Sequence, residues 1–180
     1  HHGLAALQGD GWVSALITQN VDGLHQRAGS PDVIDLHGRL DNVICLECKR
    51  LFERTTIQTR LEALNQGWHY ENARPAPDGD VDLEGANYDD FTLASCELCQ
   101  GILKPDVVFF GENVPRVRVD DAMNRVEQAD ALLVIGSSLM VFSGYRFVRA
   151  ATGRDQPVYI VNHGKTRADD DATLKIETDG

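Results

Sequence analysis

The chain has 180 residues, 42% hydrophobic and 25% charged, an ordinary composition for a globular protein with one good core or a core plus a small satellite. A net charge of -11 and a pI of about 4.8 exclude nucleic-acid binding by phosphate neutralisation and leave room for basic, lysine-rich protein partners. No apolar run approaches the roughly 18 residues needed to cross a bilayer, so no membrane partner is expected.

The opening stretch HHGLAALQGDGW follows a helix pattern without a methionine or a cap. It suggests a fragment of a longer protein, with any targeting segment outside it. SALIT (14–18) and DVIDL (32–36) then read as short, apolar, β-branched strands. The first runs into QNVDGLH, which concentrates amides, an acid and a histidine at a strand end. Residues 41–101 break the rhythm. They hold all four cysteines and a Pro/Gly/Asp-rich stretch, APDGDVDLE included, that reads as an exposed loop.

Beyond them, DVVFF (106–110), ALLVI (131–135) and PVYIV (157–161) are further strands. In VDDAMNRVEQADA, Val119, Ala122, Met123 and Val126 share a helical stripe, with Asp120 and Asp121 expected at the helix start. SGYRFVRAA (143–151) is a second helix with Ser143 as its expected cap. Strand, helix, strand, helix, strand predicts an α/β fold with a Rossmann-like, doubly wound parallel sheet. The expected organisation is residues 1–40 and 102–180 in the sheet domain, lacking its first strand, with 41–101 as an inserted zinc-binding module.

The cysteines form two CxxC pairs, CLEC (45–48) and CELC (96–99). Two such turns complete a tetrahedral site, so Cys45, Cys48, Cys96 and Cys99 are expected to hold one structural zinc ion. Two disulfides or four inert thiols are the alternatives, disfavoured in a reducing compartment. With all four positions taken by sulfur, the ion has no open site for chemistry.

Some residues say little alone. His37 is by itself more often a satisfied structural histidine than a base, and His25 and His163 invite the same reading. His69 is expected to face solvent, and Asp169–Asp171 to be solvated or to cap helix ends. A strand ending in Gly136, Ser137 and Ser138 is commonly just a turn.

In order, however, TQNVDGLH, DLHG, the double CxxC, LKPDVVFFGE, IGSSLMV and IVNHG resemble the sirtuins, NAD-dependent protein-lysine deacylases. APDGDVDLE and TRADDDATLKI are most similar to the class II group, which contains the mitochondrial sirtuin 4 type and many bacterial members. The resemblance implies that NAD and an acyl-lysine peptide enter a cleft between the Rossmann-type domain and the zinc module.

It further implies that Gln19, Asn20, Val21 and Asp22 line the nicotinamide-ribose pocket, with Asn20 ordering a water, Asp22 binding the carboxamide and His25 supporting them. His37 would be the general base. The acyl oxygen displaces nicotinamide from NAD, and the histidine then helps a ribose hydroxyl attack the product of that step. Gly136, Ser137, Ser138 and Asn162 would bind the rest of NAD. Val108, Phe109, Gly111 and Glu112 would form the substrate segment, with Val108 and Phe109 lining the acyl-lysine tunnel and the peptide sandwiched in β-augmentation style between this segment and MVFSGY (140–145). Neither the family's glycine-rich first turn nor its flexible cofactor loop is present.

Two other functions are compatible with the residues: protein mono-ADP-ribosyl transfer, and a non-catalytic, zinc-stabilised interaction module. The expected compartment is the bacterial cytoplasm, with the mitochondrial matrix second.

Overall fold

The computed structural model describes residues 1–68, 74–75, 81–82 and 88–178. His69 and most of APDGDVDLE lie outside the described residues. The chain divides into two compact units, one of residues 1–39 and 107–180, the other of residues 40–106.

The larger unit opens with helix α1 (His2–Gly9), strand β1 (Leu16–Thr18), the short helix α2 (Leu24–Arg27) and strand β2 (Val33–Asp35). After the smaller unit it continues through α4 (Arg116–Gln128), β8 (Leu132–Ile135), α5 (Phe142–Thr152), β9 (Val158–Val161) and β10 (Leu174–Ile176). Its parallel strands form two sheets, β1–β2 and β10–β9–β8. Right-handed βα crossovers allow parallel pairing only with helices packed on a face. Val134, Val158 and Ile160 turn to that face and are buried with Ala122 and Val126 of α4 and Phe147, Val148 and Ala151 of α5. On the opposite face Leu133, Tyr159, Leu174 and Ile176 are exposed.

The α4 stripe packs as expected, with Ala122 and Val126 buried and Met123 against the core. Its start differs. The helix begins at Arg116, so Asp120 and Asp121 lie beyond the first turn and form i,i+4 pairs with Arg116 and Arg125. Likewise α5 begins at Phe142, after Val141, with no side-chain cap. Ser143 is therefore not the cap; its hydroxyl is engaged elsewhere.

The smaller unit holds β4 (Leu51–Glu53), α3 (Arg54–Leu64), the short pair β5 (Arg74–Pro75) and β6 (Val81–Asp82), and most of β3 (Gly38–Cys45) and β7 (Leu103–Val107). The sheet order β4–β3–β7 leaves β7 at an edge, the position that tolerates Pro105 in a strand. The β7 strand ends at Val107, short of the expected DVVFF span. Phe109 and Glu112 close a turn there, the Phe109 N–H donating to Glu112 Oε2 at 2.9 Å and the Glu112 N–H to the Phe109 carbonyl at 3.0 Å.

The TRADDD segment is tied down rather than merely solvated. Asp169 Oδ1 accepts from the Thr166 N–H and hydroxyl, and Asp169 Oδ2 accepts from Lys175 Nζ at 3.0 Å. Asp171 accepts the Tyr145 hydroxyl at 3.0 Å.

Candidate active site and metal centre

Parallel strands point their carboxyl ends the same way. Here both β1 and β8 border one cavity of about 840 Å³ along their whole length, from Trp12 to Asn20 and from Ala129 to Ser137, with Gln19, Asn20, Gly136 and Ser137 just past the strand ends. His25 and Thr18 line it too. Gly136 turns the chain at φ 60°, a left-handed value that suits glycine, and space is open where a side chain would stand.

Within the larger unit, polar contacts link these residues. The Ser137 hydroxyl donates to Gln19 Oε1 at 3.1 Å and accepts the Leu139 N–H at 3.2 Å. The Asn20 N–H donates to Thr18 Oγ1 at 3.1 Å, and the residue is exposed. His37 is half-buried, with Nδ1 3.1 Å from the Gln19 carbonyl and Nε2 2.9 Å from the Ser143 hydroxyl. Burial and the charges of Arg118 and Arg146 lower its pKa below the ordinary 6.5, and the Gln19 carbonyl opposes them.

The other predicted residues lie apart from the cavity lining. Asp22 accepts the Leu24 N–H at 2.9 Å and so turns the chain into α2, with Val21 half-buried beside it. The Ser138 carbonyl accepts the Arg167 N–H at 2.9 Å. Asn162 is buried and donates to the carbonyls of His163 and Gly164 at 2.9 and 3.3 Å. In the substrate segment, the Val108 N–H donates to the His37 carbonyl at 2.9 Å. Val108 is half-buried, Phe109 and Phe110 are exposed, and Gly111 has a φ of 88°.

Arg118 and Arg146 escape a reading of the sequence as site residues, and Ser143 enters it only as an expected helix cap within the peptide-binding stretch MVFSGY. Ser143 gives one faint signal: a serine at a helix start that turns out to cap nothing.

In the smaller unit, the four cysteine sulfurs all lie within 4.8 Å of one another. Cys45 is 3.5 Å from Cys99, and Cys48 is 3.7 Å from Cys96. A tetrahedron with zinc–sulfur bonds of about 2.3 Å has edges of about 3.8 Å, so these residues fit one ion. Two equivalent turns build the cluster. The Lys49 N–H donates to the Cys45 carbonyl and the Gln100 N–H to the Cys96 carbonyl, with Lys49 and Gln100 both left-handed at φ 60° and 61°.

Burial pushes the Cys45 thiol up, but the backbone N–H groups of Cys48 and Glu47 together with the Cys99 and Cys48 thiols bring it down to about 7. For Cys99 the Gly101 N–H favours the thiolate, yet the neighbouring Cys45 sulfur and burial push it up to about 12. One sulfur ionises readily and its charge suppresses the next. A divalent cation removes that conflict.

A parallel α/β unit, in a chain that also carries a four-cysteine centre, defines a Rossmann-like protein with a structural zinc site. The chain belongs to the Sir2 family, whose pattern matches residues 1–143. An NAD-dependent protein deacetylase of Xanthomonas campestris pv. campestris (strain 8004) is 55% identical over 98% of this chain. A second, NAD-dependent protein deacetylase 1 of Streptomyces coelicolor (strain ATCC BAA-471 / A3(2) / M145), is 49% identical over 98% of it. The chain spans 60% of the length of the first and 59% of the second. Among solved structures, Sir2 bound to acetylated peptide superimposes with a TM-score of 0.77 at 32% identity, covering 99% of this chain and 64% of that one. Sir2 with p53 peptide and NAD+ gives 0.75 at the same identity, covering 99% and 63%.

Proposed function

We propose that this protein is an NAD-dependent protein-lysine deacylase, which moves an acyl group from lysine to ADP-ribose and releases nicotinamide. The observation that carries this reading is the state of His37. A carbonyl only accepts, so the Gln19 contact holds the proton on Nδ1 and leaves Nε2 as a basic lone pair. An imidazole whose pKa lies below 6.5 is neutral, and so available as a base, at neutral pH.

In this mechanism Gln19, Asn20, Gly136 and Ser137, which line the cavity, bind and orient NAD as substrate. His37 takes the proton of the attacking ribose hydroxyl at Nε2. Cys45, Cys48, Cys96 and Cys99 would hold a zinc ion that braces the smaller unit, its four positions all taken by sulfur. The protein partners are acyl-lysine segments. A net charge of -11 supports basic polypeptides over nucleic acid. The reading extends to the bacterial cytoplasm as the compartment, supported by four free thiols, which a reducing environment keeps available for zinc.

Incubation with NAD and a panel of acyl-lysine peptides tests the proposal. Nicotinamide and deacylated peptide should appear in equal amounts. Nicotinamide release with ADP-ribose fixed on protein, and no deacylated peptide, would instead mark an ADP-ribosyltransferase.

A further inference from the structure

Ser143 is the second residue of α5 and is buried. Serine in a first helical turn usually serves the helix backbone. Here its hydroxyl lies 2.9 Å from His37 Nε2 and 3.5 Å from Gln19 Nε2. The directions of these bonds follow from chemistry. His37 keeps its proton on Nδ1 for the Gln19 carbonyl, so in the neutral ring Nε2 can only accept. Ser143 must therefore donate.

The rest of the chain of contacts agrees. Gln19 Oε1 accepts from Ser137, which turns the carboxamide NH₂ toward Ser143, and Ser143 accepts there. Ser137 in turn accepts from the Leu139 N–H. From Leu139 to His37 each contact pairs one donor with one acceptor, and no two donors face each other.

We propose that Ser143 is a positioning residue for deacylation: its hydroxyl hydrogen holds the His37 imidazole in one tautomer and rotamer and gives way to the substrate hydroxyl that Nε2 will deprotonate. This deepens the deacylase reading and rests on it for its kinetic consequence, though not for the hydrogen bond itself. A donor on the Nε2 lone pair favours the neutral ring. Three other groups act on the ring: the Gln19 carbonyl after β1, and the cationic Arg118 of α4 and Arg146 of α5. The carbonyl favours the imidazolium, and the two arginines oppose it. Serine adds to the arginines' effect and also fixes direction, which a distant charge cannot do.

The test follows the His37 ring nitrogens by ¹⁵N NMR in the full chain across a pH titration, for the parent, Ser143→Ala and Ser143→Thr. His37→Gln assigns the resonances. In the parent, Nδ1 should be protonated and Nε2 bare. Ser143→Ala should raise the His37 pKa, and Ser143→Thr should restore it. Deacylation should fall about 3- to 10-fold in Ser143→Ala, the worth of one hydrogen bond, through kcat and not KM, with its acid limb moved to higher pH.

An unmoved His37 pKa in Ser143→Ala overturns the proposal. So does a parent ring protonated on Nε2, which decides the matter even if the alanine variant fails to fold. If the parent deacylates no peptide, the deacylase reading falls, and the titration alone judges Ser143.

Discussion

A Cβ on Gly144 would stand 2.8 Å from Oε1 of Gln19, and 3.0 Å from its Cδ and Nε2. Glycine inside a helix costs roughly 0.5–1 kcal/mol relative to alanine, so α5 accepts that loss to let the Gln19 carboxamide pass. Gly144→Ala should displace Gln19 and with it the contacts to Ser137 and Ser143. Deacylation should drop about 10- to 100-fold, since misplacement by about 1 Å can cost on the order of 10²-fold. Gly9→Ala, with nothing within 4 Å of its Cβ, should leave turnover unchanged. Steady-state kinetics of the two variants decide it, and equal turnover would remove Gln19 placement from the mechanism.

His37→Gln should cost about 10²- to 10⁴-fold in deacylation, the usual contribution of a general base. The base acts after nicotinamide has left, so exchange of labelled nicotinamide into NAD should survive better than net deacylation. Equal loss of both would place His37 in binding or in the first step.

The pH dependence has a definite sign. Burial lowers the pKa of both His37 and His25 below 6.5. Between 6.5 and those lower values the unfolded chain binds protons that the folded chain does not, so stability rises with pH across that window. It is greatest above 6.5 and falls as pH drops toward the folded pKa values. Urea melts from about pH 7.5 to about pH 5.5 should show this loss, and His37→Gln should reduce it. The acid limb of deacylation should likewise have its midpoint below 6.5. A midpoint above 6.5 would contradict the proposed environment of the base.

Metal analysis should find about one zinc per chain. Among the described residues, the buried core cluster of the smaller unit is Val43, Ile57 and Ala94. A strong chelator should therefore unfold that unit, read by loss of amide exchange protection in α3. Cys96→Ser should do the same without chelator. A metal-free protein with α3 still protected would show that the cysteines are dispensable.

Short apolar runs of β-branched residues made the parallel strands legible, and periodicity made the α4 stripe legible because burial on one helix face repeats with the helix turn. The cysteine pairs were legible because a metal dictates their spacing. Boundaries were not. The hydrophobicity of DVVFF continues past Val107, but the backbone turns there, where Glu112 captures the Phe109 N–H, a tertiary choice without periodic trace. Asp120 and Asp121 looked like helix-start acids only because nothing in composition marks Arg116 as the first residue. Ser143 was misread for a related reason: a serine before an apolar run has one obvious local use. Its actual acceptor lies more than a hundred positions earlier in the chain.

The connection from β8 to α5, residues 136–141, is short and carries the turn at Gly136. Surface connections ordinarily absorb extra residues without harm. This one sets the angular phase of α5. Each residue added to or removed from the start of a helix rotates every later side chain by about 100° around the axis. One insertion there would swing Ser143 away from His37 and bring a residue with a side chain to where Gly144 makes room for Gln19. Length in this stretch is therefore under the same constraint as identity, and a deep mutational scan that includes single-residue insertions should find it intolerant at every position from 137 to 141.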